Sequence, residues 1–321
     1  MAGRGKKRRR PRRLRKSGKR LRRTFWRSFE TTGAAMENLE IRKVGIVGAG
    51  VMGSGIAQAF ALAGIETVIT DVAESALRRG METISASMDR MIKKEKITPE
   101  QKTRALAAIA AERDVQVVAG CDLVIEAATE DERLKLDIFR QLDALARPDA
   151  ILASNTSSLS ITRLAAATRR PAQVIGLHFF NPVPMMALVE IISGLQTSAE
   201  TAAAAGRLAQ RIGKTPVKVR NSPGFVVNRL LCPMINEAVF AVAEGLATPA
   251  EIDEAMKLGA NHPLGPLALC DLIGLDVELA IMQVLHEGFK DPKYRPAPLL
   301  VEMVEAGRLG RKTGQGFFSY V

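Results

Sequence analysis

Apolar residues first fall into a regular rhythm at Lys43. Val44-Gly45-Ile46-Val47 is a short apolar run, a glycine-rich turn follows, and apolar residues then recur at helical spacing up to Gly64. That pattern predicts a strand over residues 43–48 and a helix over residues 51–63. A second strand is predicted over residues 67–71. Helical periodicity then holds over residues 73–94 and 99–112, joined by the charged turn Lys93-Lys94-Glu95-Lys96-Ile97-Thr98. Thr98 reads as an N-cap with Pro99 at the first helical position. Strands are predicted again at residues 122–127, 150–154 and 174–179. Further strands at residues 188–192 and 215–219 flank a helix over residues 199–212. After Asn221-Ser222-Pro223-Gly224 the pattern is helical throughout, over residues 225–243, 249–257, 267–289 and 298–306. The alternation of strand and helix up to residue 220 predicts a parallel doubly wound sheet.

The turn inside the first unit carries chemistry. Gly48-Ala49-Gly50-Val51-Met52-Gly53 fits G-x-G-x-x-G, and Asp71 ends the next apolar run 23 residues beyond Gly48. Gly48 permits the tight turn, Gly50 lets the backbone approach a pyrophosphate, and Gly53 lets helix and strand pack closely. The diphosphate then meets free N–H groups at a helix N-terminus. A glycine motif alone is a weak signal, but the strand before it, the helix after it and the acid beyond complete the unit. Gly48, Gly50, Val51, Met52, Gly53 and Asp71 are therefore expected to hold a dinucleotide. The Asp71 carboxylate accepts from ribose hydroxyls and repels a 2′-phosphate, which favours NAD over NADP. The fold class follows: α/β, a Rossmann-type doubly wound sheet over residues 36–220, then an all-helical C-terminal domain over residues 221–321. The helical part carries more apolar surface than one small bundle can bury, so a homodimer through that domain is expected.

Charge is unevenly spread. The 321 residues carry 46 Lys/Arg against 34 Asp/Glu, but 15 of the cations and only Glu30 among the acids lie in residues 1–35. The body is nearly neutral and the head is a polycation. Such an arm is suited to polyanions or to targeting, yet it lacks a periodic apolar face and has too few apolar residues to fold. A plainer reading makes Met36 the natural start, since Met36 to Lys43 leads straight into the first strand. The neutral body offers no second basic surface, so no specific nucleic-acid partner is expected. No apolar run is long enough to span a bilayer. Cys121, Cys232 and Cys270 lie far apart in apolar segments, with no metal-ligand spacing, so neither a disulfide framework nor a metal site is indicated. A reducing, cytoplasmic location is expected.

Of three histidines, His178 stands apart, near the end of the strand Val174-Ile175-Gly176-Leu177-His178-Phe179. Carboxyl ends of parallel strands face the cofactor crevice in this architecture. A lone histidine on an apolar strand is commonly a hydrogen-bonded core residue. Glu190, embedded in Leu188-Val189-Glu190-Ile191-Ile192, changes that balance, because a buried acid needs a partner and an imidazole supplies one. Ser154-Asn155-Thr156-Ser157-Ser158 also follows a strand end, either lining the crevice or capping the helix that begins near Ser160. Asn228 lies in the first helix after residue 220, within reach of a cleft between the two parts.

At these residues the chain resembles the short-chain L-3-hydroxyacyl-CoA dehydrogenases, most closely the bacterial 3-hydroxybutyryl-CoA dehydrogenases. The resemblance rests on the glycine turn, Val124-Ile125-Glu126-Ala127-Ala128, Ala153-Ser154-Asn155-Thr156-Ser157-Ser158 and His178-Phe179-Phe180-Asn181-Pro182-Val183-Pro184. It extends to Asn221-Ser222-Pro223-Gly224-Phe225-Val226-Val227-Asn228-Arg229 and Gly310-Arg311-Lys312-Thr313-Gly314. It covers residues 40–321 and leaves residues 1–35 without a counterpart. The resemblance implies reversible NAD-dependent oxidation of an L-3-hydroxyacyl-CoA, with His178 as acid/base, Glu190 as its partner, and Ser157 and Asn228 at the reacting group. It further implies that Glu130, Lys135, Ser157, Asn181 and Lys312 contact NAD, and that Ser87, Lys94 and Ser157 contact the coenzyme A substrate. Two other readings stay open at this point: a β-hydroxy acid dehydrogenase that does not use coenzyme A, and a non-catalytic relative like the lens crystallin that resembles this family.

Overall fold

A computed structural model describes Met1 and residues 40–320; the expectations for the basic arm and for Met36 lie outside the described residues. Eight strands form one sheet in the order β3-β2-β1-β4-β5-β6-β7-β8. They are β1 (Lys43–Val47), β2 (Glu66–Thr70), β3 (Ile109–Glu112), β4 (Leu123–Glu126), β5 (Ile151–Ser154), β6 (Val174–Phe179), β7 (Leu188–Ser193) and β8 (Thr215–Arg220). Strands β1, β4, β5 and β6 are almost wholly apolar and buried, as expected of a sheet covered on both faces. The order reverses between β1 and β4, and the crevice at such a switch point is where α/β sheets bind ligands.

Helices α1 (Val51–Leu62), α2 (Glu74–Lys93), α3 (Pro99–Ala107), α4 (Glu132–Leu145), α5 (Ile161–Ala166) and α6 (Ala199–Arg211) accompany the sheet. Thr98 caps α3 as its sequence predicts, in a reciprocal capping box with Gln101. The second helical stretch is shorter than its periodicity suggests. It ends at Ala107, and residues 109–112 become the edge strand β3, parallel to β2. Ile109-Ala110-Ala111-Glu112 buries only Ile109, so an alanine-rich edge strand left no alternating pattern to read.

The sheet is not parallel throughout. β6 and β7 pair antiparallel because only a short turn joins them, and this sets His178 directly opposite Glu190. Beyond β8 come α7 (Val227–Ala243), α8 (Pro249–Ala260), α9 (Pro266–Ile273), α10 (Leu275–Phe289) and α11 (Pro298–Glu305). The helix expected over residues 267–289 is two helices. Gly274 breaks it at φ 104°, a conformation that other residues rarely adopt. Ile235, Val239, Leu267, Cys270, Leu275 and Leu300 form the core of this helical part. Asp271 clasps the C-terminal segment, accepting from the Phe317 and Phe318 amides and the Tyr320 hydroxyl. Among the described residues, no helix is long and apolar enough to cross a membrane.

Candidate active site

The glycine turn sits at the switch point. A Cβ on Gly53 would lie 1.8 Å from the Gly48 carbonyl oxygen, and one on Gly48 would lie 2.6 Å from that of Ala127, just past β4. Neither position can carry a side chain. A Cβ on Gly50 would meet nothing within 4 Å, and no side chain caps α1. Open space beside uncapped helix N–H groups fits the pyrophosphate of a dinucleotide. Val51, at the start of α1, and Val72, next to Asp71, are both exposed. Asp71 holds the turn from below: its two oxygens accept from the Ala49 and Ala73 amides at 2.9 and 3.0 Å. Each oxygen keeps a further lone pair for a hydroxyl.

His178 and Glu190 meet. The ring Nδ1 lies 2.7 Å from Glu190 Oε2, with His178 6 % exposed and Glu190 fully buried. Glu190 Oε1 accepts from the backbone N–H groups of Val226 and Val227, at 2.9 and 3.0 Å, where α7 begins. Gly224 and Phe225 deliver the helix end to that carboxylate, both with left-handed backbone (φ 69° and 50°). A Cβ on Gly224 would strike the Leu285 side chain at 2.7 Å. Two N–H donors and the positive end of a helix favour the ionised carboxylate. An ionised carboxylate only accepts, so Nδ1 carries the proton, and the neutral imidazole of that tautomer has its lone pair on Nε2. Phe180 and Phe225 pack on the imidazole with ring centroids 4.4 and 5.6 Å away.

Asn228 is one residue past the amides that hold Glu190, in the first turn of α7 and half-buried. The structure therefore brings His178 and Glu190 together at the start of α7, the helix turn that also carries Asn228. Asn155 secures the end of β6 by accepting from the Phe179 amide at 2.9 Å.

Glu130, expected from the resemblance to contact NAD, is also the hub of the serine cluster, a role that the sequence pattern did not indicate. Glu130 Oε1 accepts from the Thr156 hydroxyl at 2.5 Å, the Ser157 amide at 3.0 Å and the Ser158 hydroxyl at 2.8 Å. Burial pushes the Glu130 pKa up, but Lys135 and these donors outweigh it, leaving the carboxyl below the usual range. Ser160, rather than the cluster, caps α5. Lys135 is buried, and its ammonium reaches Glu126 at 2.5 Å, the Ala128 carbonyl at 3.1 Å and Glu130 at 3.3 Å. Ser154 donates to the other Glu126 oxygen at 2.6 Å. Glu126 is an acid in an apolar strand, the same signal that singles out Glu190, and it ties the ends of β4 and β5 together.

The remaining expected contacts are dispersed. Asn181 is exposed on the turn after β6. Ser87 is half-buried on α2 and Lys94 exposed at its C-cap, seven residues on, which puts them on one face two turns apart. Lys312 lies in the helical part, paired with Asp276 at the start of α10. Among the described residues, no group of three metal-ligating side chains occurs.

Comparison with known proteins agrees with this geometry. Residues 43–222 match the family model of the 3-hydroxyacyl-CoA dehydrogenase NAD-binding domain, and residues 224–320 match that of the C-terminal domain. A 3-hydroxybutyryl-CoA dehydrogenase of Bradyrhizobium diazoefficiens is 54 % identical over 280 residues, which span 87 % of this chain and 96 % of that protein. The mitochondrial hydroxyacyl-coenzyme A dehydrogenase of Sus scrofa is 40 % identical over 91 % of this chain and 96 % of its own length. The crystal structure of an (S)-3-hydroxybutyryl-CoA dehydrogenase from Ralstonia eutropha superposes with a TM-score of 0.86 at 58 % identity, covering 88 % of this chain and all of that one. With both domain models matched end to end over one sheet-and-helix unit, this chain belongs to the 3-hydroxyacyl-CoA dehydrogenase family.

Proposed function

We infer that the NAD-dependent oxidation of L-3-hydroxyacyl-CoA to 3-oxoacyl-CoA runs in this chain through His178, with 3-hydroxybutyryl-CoA as the favoured substrate. The observation that carries the reading is the 2.7 Å contact between His178 Nδ1 and a Glu190 carboxylate held by a helix end. NAD held by the Gly48 to Gly53 turn and Asp71 would supply a hydride acceptor for C3 of the hydroxyacyl group. His178 Nε2 takes the hydroxyl proton, and Glu190 stabilises the imidazolium that forms. In the reverse direction His178 returns that proton. Asn228 holds the reacting oxygen, and Ser157, kept in place by Glu130, touches both substrate and nicotinamide. Glu130, Lys135, Asn181 and Lys312 serve the cofactor, while Ser87 and Lys94 bind the coenzyme A portion. Residues 36–220 thus form the cofactor-binding part and residues 221–321 the part that completes the substrate site.

A second copy of the chain covers the helical part in this reading. Leu230, Leu258, Leu272 and Val277 are exposed there; light scattering of the purified protein should give twice the chain mass, and a monomer at micromolar concentration would refute this reading. Three buried free cysteines accord with a reducing, cytoplasmic home. NADH oxidation with acetoacetyl-CoA, set against free acetoacetate, tests the substrate class. Turnover of the thioester alone is the expected result, and equal turnover of the free acid would favour a hydroxy acid dehydrogenase instead.

A further inference from the structure

A turn over residues 180–187 joins the strand carrying His178 to the strand carrying Glu190. The Met185 and Met186 amides both donate to the Pro182 carbonyl, at 2.9 and 3.1 Å, and one ammonium bridges two further carbonyls of the turn. Lys214 Nζ donates to the carbonyls of Val183 and Met186 at 2.6 and 2.7 Å. Lys214 stands between α6 and β8, and the next residue, Thr215, donates its amide to the Ala187 carbonyl at 2.7 Å. Among the described residues no carboxylate pairs with Lys214, and burial alone pulls its pKa down. Half-burying an ammonium beside no anion is costly, and two short charge-assisted bonds offset that cost.

The same turn touches two other elements. Val183 is buried against Gly55 of α1, where an added Cβ would come within 2.9 Å of the Val183 side chain. Met185 Sδ lies 4.0 Å from Lys96 Nζ, at the tip of the hairpin formed by α2 and α3. Met185 and Met186 are exposed apolar side chains of this turn. The turn is thus the junction between the His178 strand, the helix that begins at the glycine turn, and the hairpin.

We propose that Lys214 is a positioning residue whose ammonium fixes the 180–187 turn as one wall of the acyl-CoA site, between the hairpin tip and His178. The proposal rests on the function inferred above. The His178–Glu190 register belongs to the β6–β7 ladder and to the start of α7, so losing the ammonium loosens the wall and leaves the pair intact.

Steady-state kinetics of the full chain with NADH and acetoacetyl-CoA from pH 6 to 9, alongside thermal unfolding, test this. Lys214→Met should raise KM for acetoacetyl-CoA about tenfold, the scale of a lost charge-assisted contact and a misplaced wall. kcat and the pH profile should stay within about twofold, and KM for NADH, which Asn181 of the same turn can reach, should move less than KM for acetoacetyl-CoA. Lys214→Arg, which restores donors to both carbonyls, should recover most of the loss. If Lys214→Met does not fold, Lys214→Gln, with one amide donor, carries the same test. An unchanged acetoacetyl-CoA KM in a folded variant overturns the proposal. So does a fall in kcat with an altered pH profile, or an arginine variant no better than the methionine one. Failure of the unmodified chain to turn over acetoacetyl-CoA would instead refute the function on which the proposal rests.

Discussion

Glu278 offers a prediction whose size comes from the fold itself. It lies in the first turn of α10, fully buried, and neither carboxyl oxygen has an N–H or O–H donor within hydrogen-bond distance. Burial raises its pKa to about 8, and the nearby Cys232 thiol, a weak donor, offsets only part of that rise. The folded chain therefore keeps a proton that the unfolded chain loses above its ordinary value near 4.5. Unfolding releases this proton between those two values, so the Glu278 contribution is full below about pH 4.5, falls by up to about 1.4 kcal/mol per pH unit, and is gone above about pH 8. From pH 6 to 8.5 the wild-type chain should lose roughly 3 kcal/mol through this one group. Glu278→Gln keeps the shape and cannot ionise, so it should lose none of that. Thermal unfolding of both proteins at pH 6 and pH 8.5 reads the difference, expected at roughly 5–10 °C of extra Tm decline in the wild type. Parallel pH dependence of the two would refute the argument that Glu278 is buried neutral.

Two further outcomes are expected. In Glu190→Gln the amide oxygen stays on the Val226 and Val227 N–H groups and the NH2 faces His178. That forces the proton onto Nε2 and should cut kcat by roughly 10²–10⁴-fold with NADH affinity kept; a loss smaller than about fivefold in the folded variant speaks against the tautomer assignment. The Asp71 carboxylate should make kcat/KM for NADH exceed that for NADPH by at least about tenfold, and comparable values for the two cofactors would contradict the reading of Asp71.

Much of the fold was legible because its signals are local. The turn from Gly48 to Gly53, the apolar strands and the capping box at Thr98 each state their conformation in a few consecutive residues. The His178–Glu190 pair was legible for a different reason: an acid inside an apolar strand demands a partner, and only one histidine lay at a strand end. The same rule applied to Glu126 would have found its pairing with Lys135. What stayed hidden depends on tertiary context. Nothing in Ile109-Ala110-Ala111-Glu112 separates edge strand from helix until β2 offers it a partner. Gly274 reads as a tolerated helix glycine until its φ of 104° shows the break. The hub at Glu130 gathers donors from a loop 26 to 28 residues away, and Lys214 serves carbonyls about 30 residues earlier in the chain. Glu278 has the periodicity of a solvated helix face and is buried only because α7 and α9 close over it, with Cys232 and Cys270 against it.

The central claim is that His178 moves the proton, and pre-steady-state NADH oxidation by acetoacetyl-CoA in His178→Ala addresses it most directly. With the imidazole gone, the glycine turn and Asp71 remain, so NADH should bind with near-normal affinity by fluorescence titration. The rate of NADH oxidation at saturating substrate should fall by roughly 10²–10⁴-fold, the range of a positioned acid/base. A folded His178→Ala protein that binds NADH and oxidises it at near wild-type rate would contradict the account.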